Sequence, residues 1–381
     1  MTSAPTAPPS KTGSAPKSAT PKPRVPLWDN ARFACVALVV VGHGVQRLTA
    51  DNDHALVVYL FIYAFHMPAF ALISGYFSNA APPTSRQMKR VITDILLPYV
   101  IMQTIWTVVQ FFVEGSTNLN PTTPHWTLWF LLALGVFRLV LPYLVLLRYP
   151  LLWSVLLSVG VGYLSNVDST FSLSRAIGIL PFFVLGWQLR QWKLVEKWHV
   201  IEKQTWLIRG IAVAIFLAWA ATLVIFIDFW KSIDVHWLFY DDSYDGLGQS
   251  DWWAGFVRLA FLLLATVLSA SFFVLVPRSE TWITGFGQAT MYVYLLHSFI
   301  LYPLRETGIL KNDPAPDLLL VAVILAGIAI SIALASPLVR RVFRPIIEPK
   351  PRWLFIELDT GKQRKPAGPS RRDPTGSTRD R

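Results

Sequence analysis

Two histidines stand inside long apolar runs near the start of the chain. His43 lies in WDNARFACVALVVVGHG and His66 in YLFIYAFHMPAFALISGYF. An ionisable side chain in a membrane-length apolar segment is costly and marks a functional site by default. Imidazole serves three chemistries in such a place: general base near neutral pH, proton relay in a transporter, or metal ligand. The last fits poorly, because two histidines without a nearby carboxylate cluster make a weak site, so no metal is expected. The single cysteine, Cys35, sits in the first apolar run; it excludes an internal disulfide and reads as a small packed residue. For each histidine the plain alternative is a structural role in a hydrogen-bonded interior, weightier for His66 than for His43.

The spacing carries more than the residue types. Asp29, Arg32, Val36, Val39 and His43 follow one another at intervals of 3, 4, 3 and 4, which places them on one helix face at 3.6 residues per turn. Arg32 then sits at the entry of the segment and His43 about 22 Å beyond Trp28, in its outer third. Gly42 and Gly44 leave room beside the imidazole. His66 falls near mid-membrane in the second segment, with Pro68 loosening the backbone just after it. Ser74 and Gly75 lie deeper. A short connection makes the two segments antiparallel neighbours, so both histidines are expected to face one cavity. Other ionisable groups in apolar surroundings are Arg138, Arg175 and Arg258, each read as an anion or substrate contact or a structural ion pair. His125 opens PHWTLWF and His297 closes YVYLLH, while His199 and His236 fall in loops and are expected to be solvated.

The elements that position these groups follow from composition. Of 381 residues 53% are hydrophobic and 15% charged, far short of the polar surface of a soluble domain. The fold class is all-α, a polytopic integral membrane protein of about ten spanning helices. Apolar runs place them within 28–48, 55–79, 91–113, 127–147, 150–166, 175–191, 205–228, 252–276, 287–304 and 317–339. The fifth is short, and Pro181 is expected to break the sixth. Basic residues gather in the tails and in alternate connections, so both termini are expected in the cytoplasm, in the plasma or inner membrane. The formal charge of +11 is thus an orientation signal, with no nucleic-acid partner implied. Residues 1–26 and 345–381 read as disordered cytoplasmic tails, the second basic enough for anionic lipid, around a membrane domain of 27–344. No GxGxxG, Walker, HExxH or GxSxG pattern occurs; a nucleotide-bearing donor would be gripped by basic residues at the cytoplasmic mouth.

These residues carry a resemblance. WDNARFACVALVVVGHG followed by FHMPAFALISGYF resembles the opening of the membrane-bound acyltransferase 3 family, most closely its fucose 4-O-acetylase-like branch. HWTLWFLLAL with Arg138, LPFFVLGW and YVYLLH are further likenesses, in the same order, over roughly residues 27–340. The resemblance implies a ten-helix enzyme taking an acyl, often acetyl, group from cytoplasmic acyl-CoA to a hydroxyl of a carbohydrate or lipid-linked glycan at the outer side. Acyl-CoA would be a co-substrate, with no permanently bound cofactor. His43 matches the family's first-helix histidine, Arg32 its first-helix basic residue, and His66 with SGYF its second-helix motif. In that branch the Arg32 position is commonly Lys followed by Gly; here Phe33 follows. No fused hydrolase-like domain is present, so transfer in one step within the helical unit is implied.

The expected site is therefore catalytic at His43 and His66. Acyl-CoA contacts are expected from Arg32, Ser74, Arg86, Lys89, Arg90 and Arg138, and acceptor contacts from Arg175, Arg258 and Trp126. His43 would act as general base or carry the acyl group, with His66 or an arginine steadying the oxyanion or orienting His43. The Trp-rich acidic loop 229–253 would stack on a glycan or be an ordinary interfacial loop. The alternative is a proton-coupled transporter running along His43, His66, Arg138 and Arg258.

Overall fold

The computed structural model describes residues 24–115, 120–168, 170–200, 205–306 and 315–355. The disorder expected of residues 1–23 and 356–381 lies outside them. Among the described residues there is no strand. Among these residues, too, seven helices are long and apolar enough to cross a membrane, and three shorter apolar helices accompany them. Together they match the ten expected segments, and the chain is a polytopic membrane protein.

The first segment is α1 (Pro26–Val45), started by a proline in its first turn, where a missing N–H costs nothing. The second segment spans Asp53–Tyr76 but is divided into α2 (Asp53–Tyr63) and α3 (His66–Tyr76). Asn52 caps α2 through its side-chain oxygen, which accepts from the amides of His54 and Ala55. The division falls at Ala64 and Phe65, ahead of His66 rather than after it. Pro68 explains this: it has no N–H for the carbonyl of Ala64, and its ring crowds that carbonyl, so the preceding turn opens. By contrast the helix expected to break at Pro181 does not. The helix α8 (Leu173–Gln191) runs through it, with Pro181 buried among neighbours, which is how spanning helices tolerate proline.

Between these lie α4 (Ser85–Val91), a π turn (Ile92–Leu96), α5 (Leu97–Glu114), α6 (Trp129–Leu144) and α7 (Pro150–Val161). After α8 come α9 (Leu194–Val200), α10 (Thr205–Ile225), α11 (Ile227–Ser232), α12 (His236–Phe239), α13 (Ala254–Leu275), α14 (Thr290–Glu306), α15 (Pro316–Leu334) and α16 (Pro337–Ile347). Helix α16 reaches past residue 344, and a 3-10 turn at Arg352–Leu354 follows, with the Lys89 ammonium 5.2 Å over the Phe355 ring. The start of the expected C-terminal tail is therefore folded.

Close packing centres on α3 and α8. A Cβ on Gly75 would run into the backbone of Phe183, and one on Gly186 into the backbone of Leu72. Reciprocal glycines let the two backbones touch, as small residues do between membrane helices. Helix α1 is fixed by Asn30, whose amide donates to the carbonyls of Pro277 (3.0 Å) and Ser279 (3.1 Å) and whose oxygen accepts from Thr284 (2.7 Å).

Candidate active site

A cavity of roughly 100 Å³ opens among α1, the α2–α3 break, α8, α12 and α14. His43, His66, Trp126, Thr127 and Arg175 all line it. The two histidines thus do share one space. The edge of Trp126 meets His43 at 4.9 Å between ring centroids, and His297 of α14 stacks on its other side at 5.5 Å and 25°. The Tyr63 hydroxyl lies 3.3 Å from His43 Nδ1, and the Gln46 side chain also hydrogen-bonds the ring.

The helix break sets the proton on His66. Its Nδ1 is 2.8 Å from the carbonyl of Ile62, and a carbonyl only accepts, so Nδ1 carries the hydrogen and Nε2 presents a lone pair. His297 repeats the pattern one helix away, with Nδ1 donating to the Val293 carbonyl at 3.0 Å while its buried Nε2 has no partner. Each is a base whose tautomer is written by a backbone carbonyl one helical turn earlier.

The cavity mouth is held by loops. Gln103 of α5 donates to the carbonyls of Asn120 (3.1 Å) and Thr123 (3.0 Å) and accepts from the amide of His125 (3.0 Å). This braces the segment that aims Trp126 inward, and Trp126 itself has a left-handed φ of 27°, a conformation that surroundings must enforce. His125 is half-buried, and burial pushes its pKa below the ordinary imidazole value. Opposite, Arg175 Nε donates to Asp241 Oδ2 at 2.9 Å, and Nη2 donates to the same oxygen. The guanidinium lies 4.9 Å from the Trp129 ring and 5.2 Å from that of Phe239. His236, expected to be solvated, instead has Nδ1 2.9 Å from the other oxygen of Asp241. That hydrogen bond raises the imidazole pKa.

A second opening lies at the far end of the same helices. It is an open cleft of roughly 870 Å³ lined by Arg24, Arg32, Arg190 and Arg340 against one carboxylate, Asp29. Asp29 pairs with Arg32 at 3.2 Å, and Arg32 also stacks 4.5 Å over Phe77. Helices α1 and α14 run from cleft to cavity, and α3 and α8 run back. Arg32 to His43 is eleven residues, about 16 Å along α1. Arg190 to Arg175 is fifteen, about 22 Å along α8.

The remaining expected contacts stand apart. Ser74 donates its hydroxyl to Phe70 of its own helix at 3.0 Å. Arg86, Lys89 and Arg90 ride on α4, outside the cleft lining, and Arg138 is exposed on α6 within electrostatic reach of Asp94. Arg258 is 1% exposed and outside the cavity lining. It ties the outer loop down, donating to the carbonyls of Asp242 (2.9 Å) and Ser158 (3.4 Å). In the loop 229–253, Trp230 and Trp237 are buried packing, whereas Trp252 and Trp253 are exposed. Nothing local in the sequence marks Tyr63, Gln46 or Thr127 at the cavity, or Arg24, Arg190 and Arg340 at the cleft, and His297, singled out in YVYLLH, carried no expected role there.

Neither curated proteins nor solved structures give a match. One family model, described as an acyltransferase domain, matches residues 26–339, most of the chain and every helix that lines the cavity, whereas Arg24 and Arg340 of the cleft fall just outside it. The protein belongs to the acyltransferase 3 family of membrane acyltransferases.

Proposed function

We propose that this membrane acyltransferase is an O-acyltransferase. It carries an acyl group, acetyl in the first instance, from cytoplasmic acyl-CoA to a hydroxyl of a carbohydrate or lipid-linked glycan at the cell surface, in the plasma or inner membrane. One observation carries the reading: a cleft lined by four arginines and a cavity lined by two histidines occupy opposite ends of α1, α3 and α8. Guanidinium groups suit phosphates, which a CoA donor bears, and the basic end is the cytoplasmic one by the charge distribution of the loops. An acceptor from outside would meet the histidines and the aromatic wall of Trp126, Trp129 and Phe239.

Transfer then runs as follows. Tyr63 accepts from His43 Nδ1, which leaves Nε2 to take the proton of the acceptor hydroxyl as its oxygen attacks the thioester carbon. The tetrahedral intermediate collapses, the C–S bond breaks, and the departing CoA thiolate takes the proton from the imidazolium. His66, its Nδ1–H already given to Ile62, offers Nε2 as a hydrogen-bond acceptor to a neighbouring hydroxyl of the acceptor and so orients it.

The purified protein in nanodiscs, given acetyl-CoA and a glycan-containing membrane extract, should release CoA thiol and yield acetylated carbohydrate by mass. His43→Gln should lower turnover by on the order of 10²–10⁴-fold, the usual contribution of a general base. Full turnover in a folded His43→Gln protein refutes the role of His43. Substrate uptake into vesicles with no thiol release supports transport instead.

A further inference from the structure

The wall of the cavity holds one hydroxyl with nothing to bind. Thr127 is 1% exposed, lines the cavity, and its Oγ1 is buried without a hydrogen-bond partner. Buried polar groups are nearly always paired, so an orphan calls for an explanation. Other threonines show what is missing. Thr104, Thr107, Thr222 and Thr266 each donate to the carbonyl four residues earlier in their own helix, at 2.8–3.0 Å. Thr127 lies just before α6, with no helical carbonyl behind it.

Its backbone, meanwhile, is pinned on every side. The carbonyl of Thr127 accepts from the Tyr294 hydroxyl, the amide of Leu128 donates to the carbonyl of His125 at 2.8 Å, and Gln103 holds His125. The backbone that carries the hydroxyl is therefore fixed, and the hydroxyl itself is free of competing bonds. Of the ionisable groups around it, His66 and His297 present Nε2 lone pairs, and Arg175 turns Nε and Nη2 to Asp241.

Resting on the O-acyl-transfer reading above, we infer that the Thr127 hydroxyl is the oxyanion donor of the reaction. It hydrogen-bonds the thioester carbonyl oxygen as that oxygen gains charge in the tetrahedral intermediate. The acceptor oxygen bonds to carbon, its proton passes to His43, and the carbonyl electron pair rests on the oxygen facing Thr127. The pair then returns as the C–S bond breaks and CoA leaves as the thiol. A donor fixed before the reaction needs no rearrangement when charge develops, and removing one such donor costs on the order of 10²–10³ in kcat.

The test compares Thr127→Val with Thr127→Ser in the full chain in nanodiscs, with acetyl-CoA as donor and a glycan-containing membrane extract as acceptor. CoA thiol release gives kcat and KM, and thermal unfolding gives Tm. Valine keeps the shape and removes the hydroxyl; serine keeps the hydroxyl and removes a methyl. The expected result is a Thr127→Val kcat about 10²–10³-fold down, with KM for acetyl-CoA and Tm held, because an orphan hydroxyl contributes nothing to the fold. Thr127→Ser should retain most of the rate. Thr127→Val at the parent rate overturns the inference alone, as does Thr127→Ser being the slower of the two, which would mark a packing role. A parent protein that releases no thiol overturns the acyl-transfer reading and this inference with it.

Discussion

Replacing Gly75 by alanine tests whether the contact of α3 with α8 positions the chemistry. A Cβ at Gly75 would lie 2.7 Å from the carbonyl carbon and 3.0 Å from the Cα of Phe183, where ordinary contact begins at 3.4 Å. The obstacle is backbone and cannot swing aside, so the helices must part by at least the shortfall, about 0.7 Å on this contact alone. Overpacking of this kind costs about 1–3 kcal/mol. Each kcal/mol lowers Tm by about 2–4 °C in domains of 150–250 residues, and by less in a longer chain. The functional cost is larger. Nine residues, about 13 Å of helix, separate Gly75 from His66, and eight, about 12 Å, separate Phe183 from Arg175. Parting the helices therefore moves His66 against Arg175, and a misplacement near 1 Å costs on the order of 10²-fold in rate. Thiol release and thermal unfolding of Gly75→Ala should show a Tm lower by a few degrees and a far greater loss of turnover. Gly210→Ala on α10 is the control, because a Cβ there meets nothing within 4 Å. It should keep activity and hold or raise Tm, alanine being better than glycine in a helix by about 1 kcal/mol. Parent-like Tm and turnover in Gly75→Ala, or an equal fall in Gly210→Ala, would refute the reasoning.

Arg190→Gln with Arg340→Gln should raise the KM for acetyl-CoA, with kcat changed little, and weaken its dependence on ionic strength; initial rates across a salt series decide it, since phosphate contacts in an open cleft are screened by salt. The His236–Asp241 pair should make stability depend on pH in a definite direction. The hydrogen bond from Asp241 raises the His236 pKa above the ordinary 6.5, so its contribution is complete below that value and is lost as pH rises through the raised one. Burial pushes the Asp241 carboxyl up, but His236 and Arg175 outweigh it and hold the pKa below the ordinary 3.8; its share is present above 3.8 and is lost as pH falls through the depressed value. The Tm advantage of the parent over His236→Asn should therefore shrink as pH rises above the ordinary 6.5, and an advantage that grows in that direction would contradict the pairing.

Much of the frame was legible from apolar runs, because a helix in lipid must satisfy its own backbone and so declares its length in sequence. The meeting of His43 and His66 followed from two such runs joined by a short turn. Proline was less informative. Pro68 and Pro181 give the same local signal and both are buried, yet only the helix at Pro68 opens. Charge in a loop was less informative still. Arg86, Lys89 and Arg90 stand together in a short basic connection, but α4 carries them away from the cleft, whose arginines come from residues 24, 32, 190 and 340. That gathering is long-range and leaves no mark in any one stretch. Thr127 was hidden for a related reason: it matters through a missing partner, and sequence shows residues rather than unmet bonds.

The divided second segment also bears on how this chain can change over generations. The orientation of the His66 ring rests on the Ile62 carbonyl, which accepts from the Phe65 amide at 3.3 Å and is left by the His66 amide because the turn before Pro68 is unwound. A substitution at Pro68 that let the helix close would offer that carbonyl to the His66 amide and compete with the ring for it. Positions 62, 66 and 68 are thus tied as one inherited unit through main-chain geometry. Drift at the proline would be felt as a change in which imidazole nitrogen holds the proton.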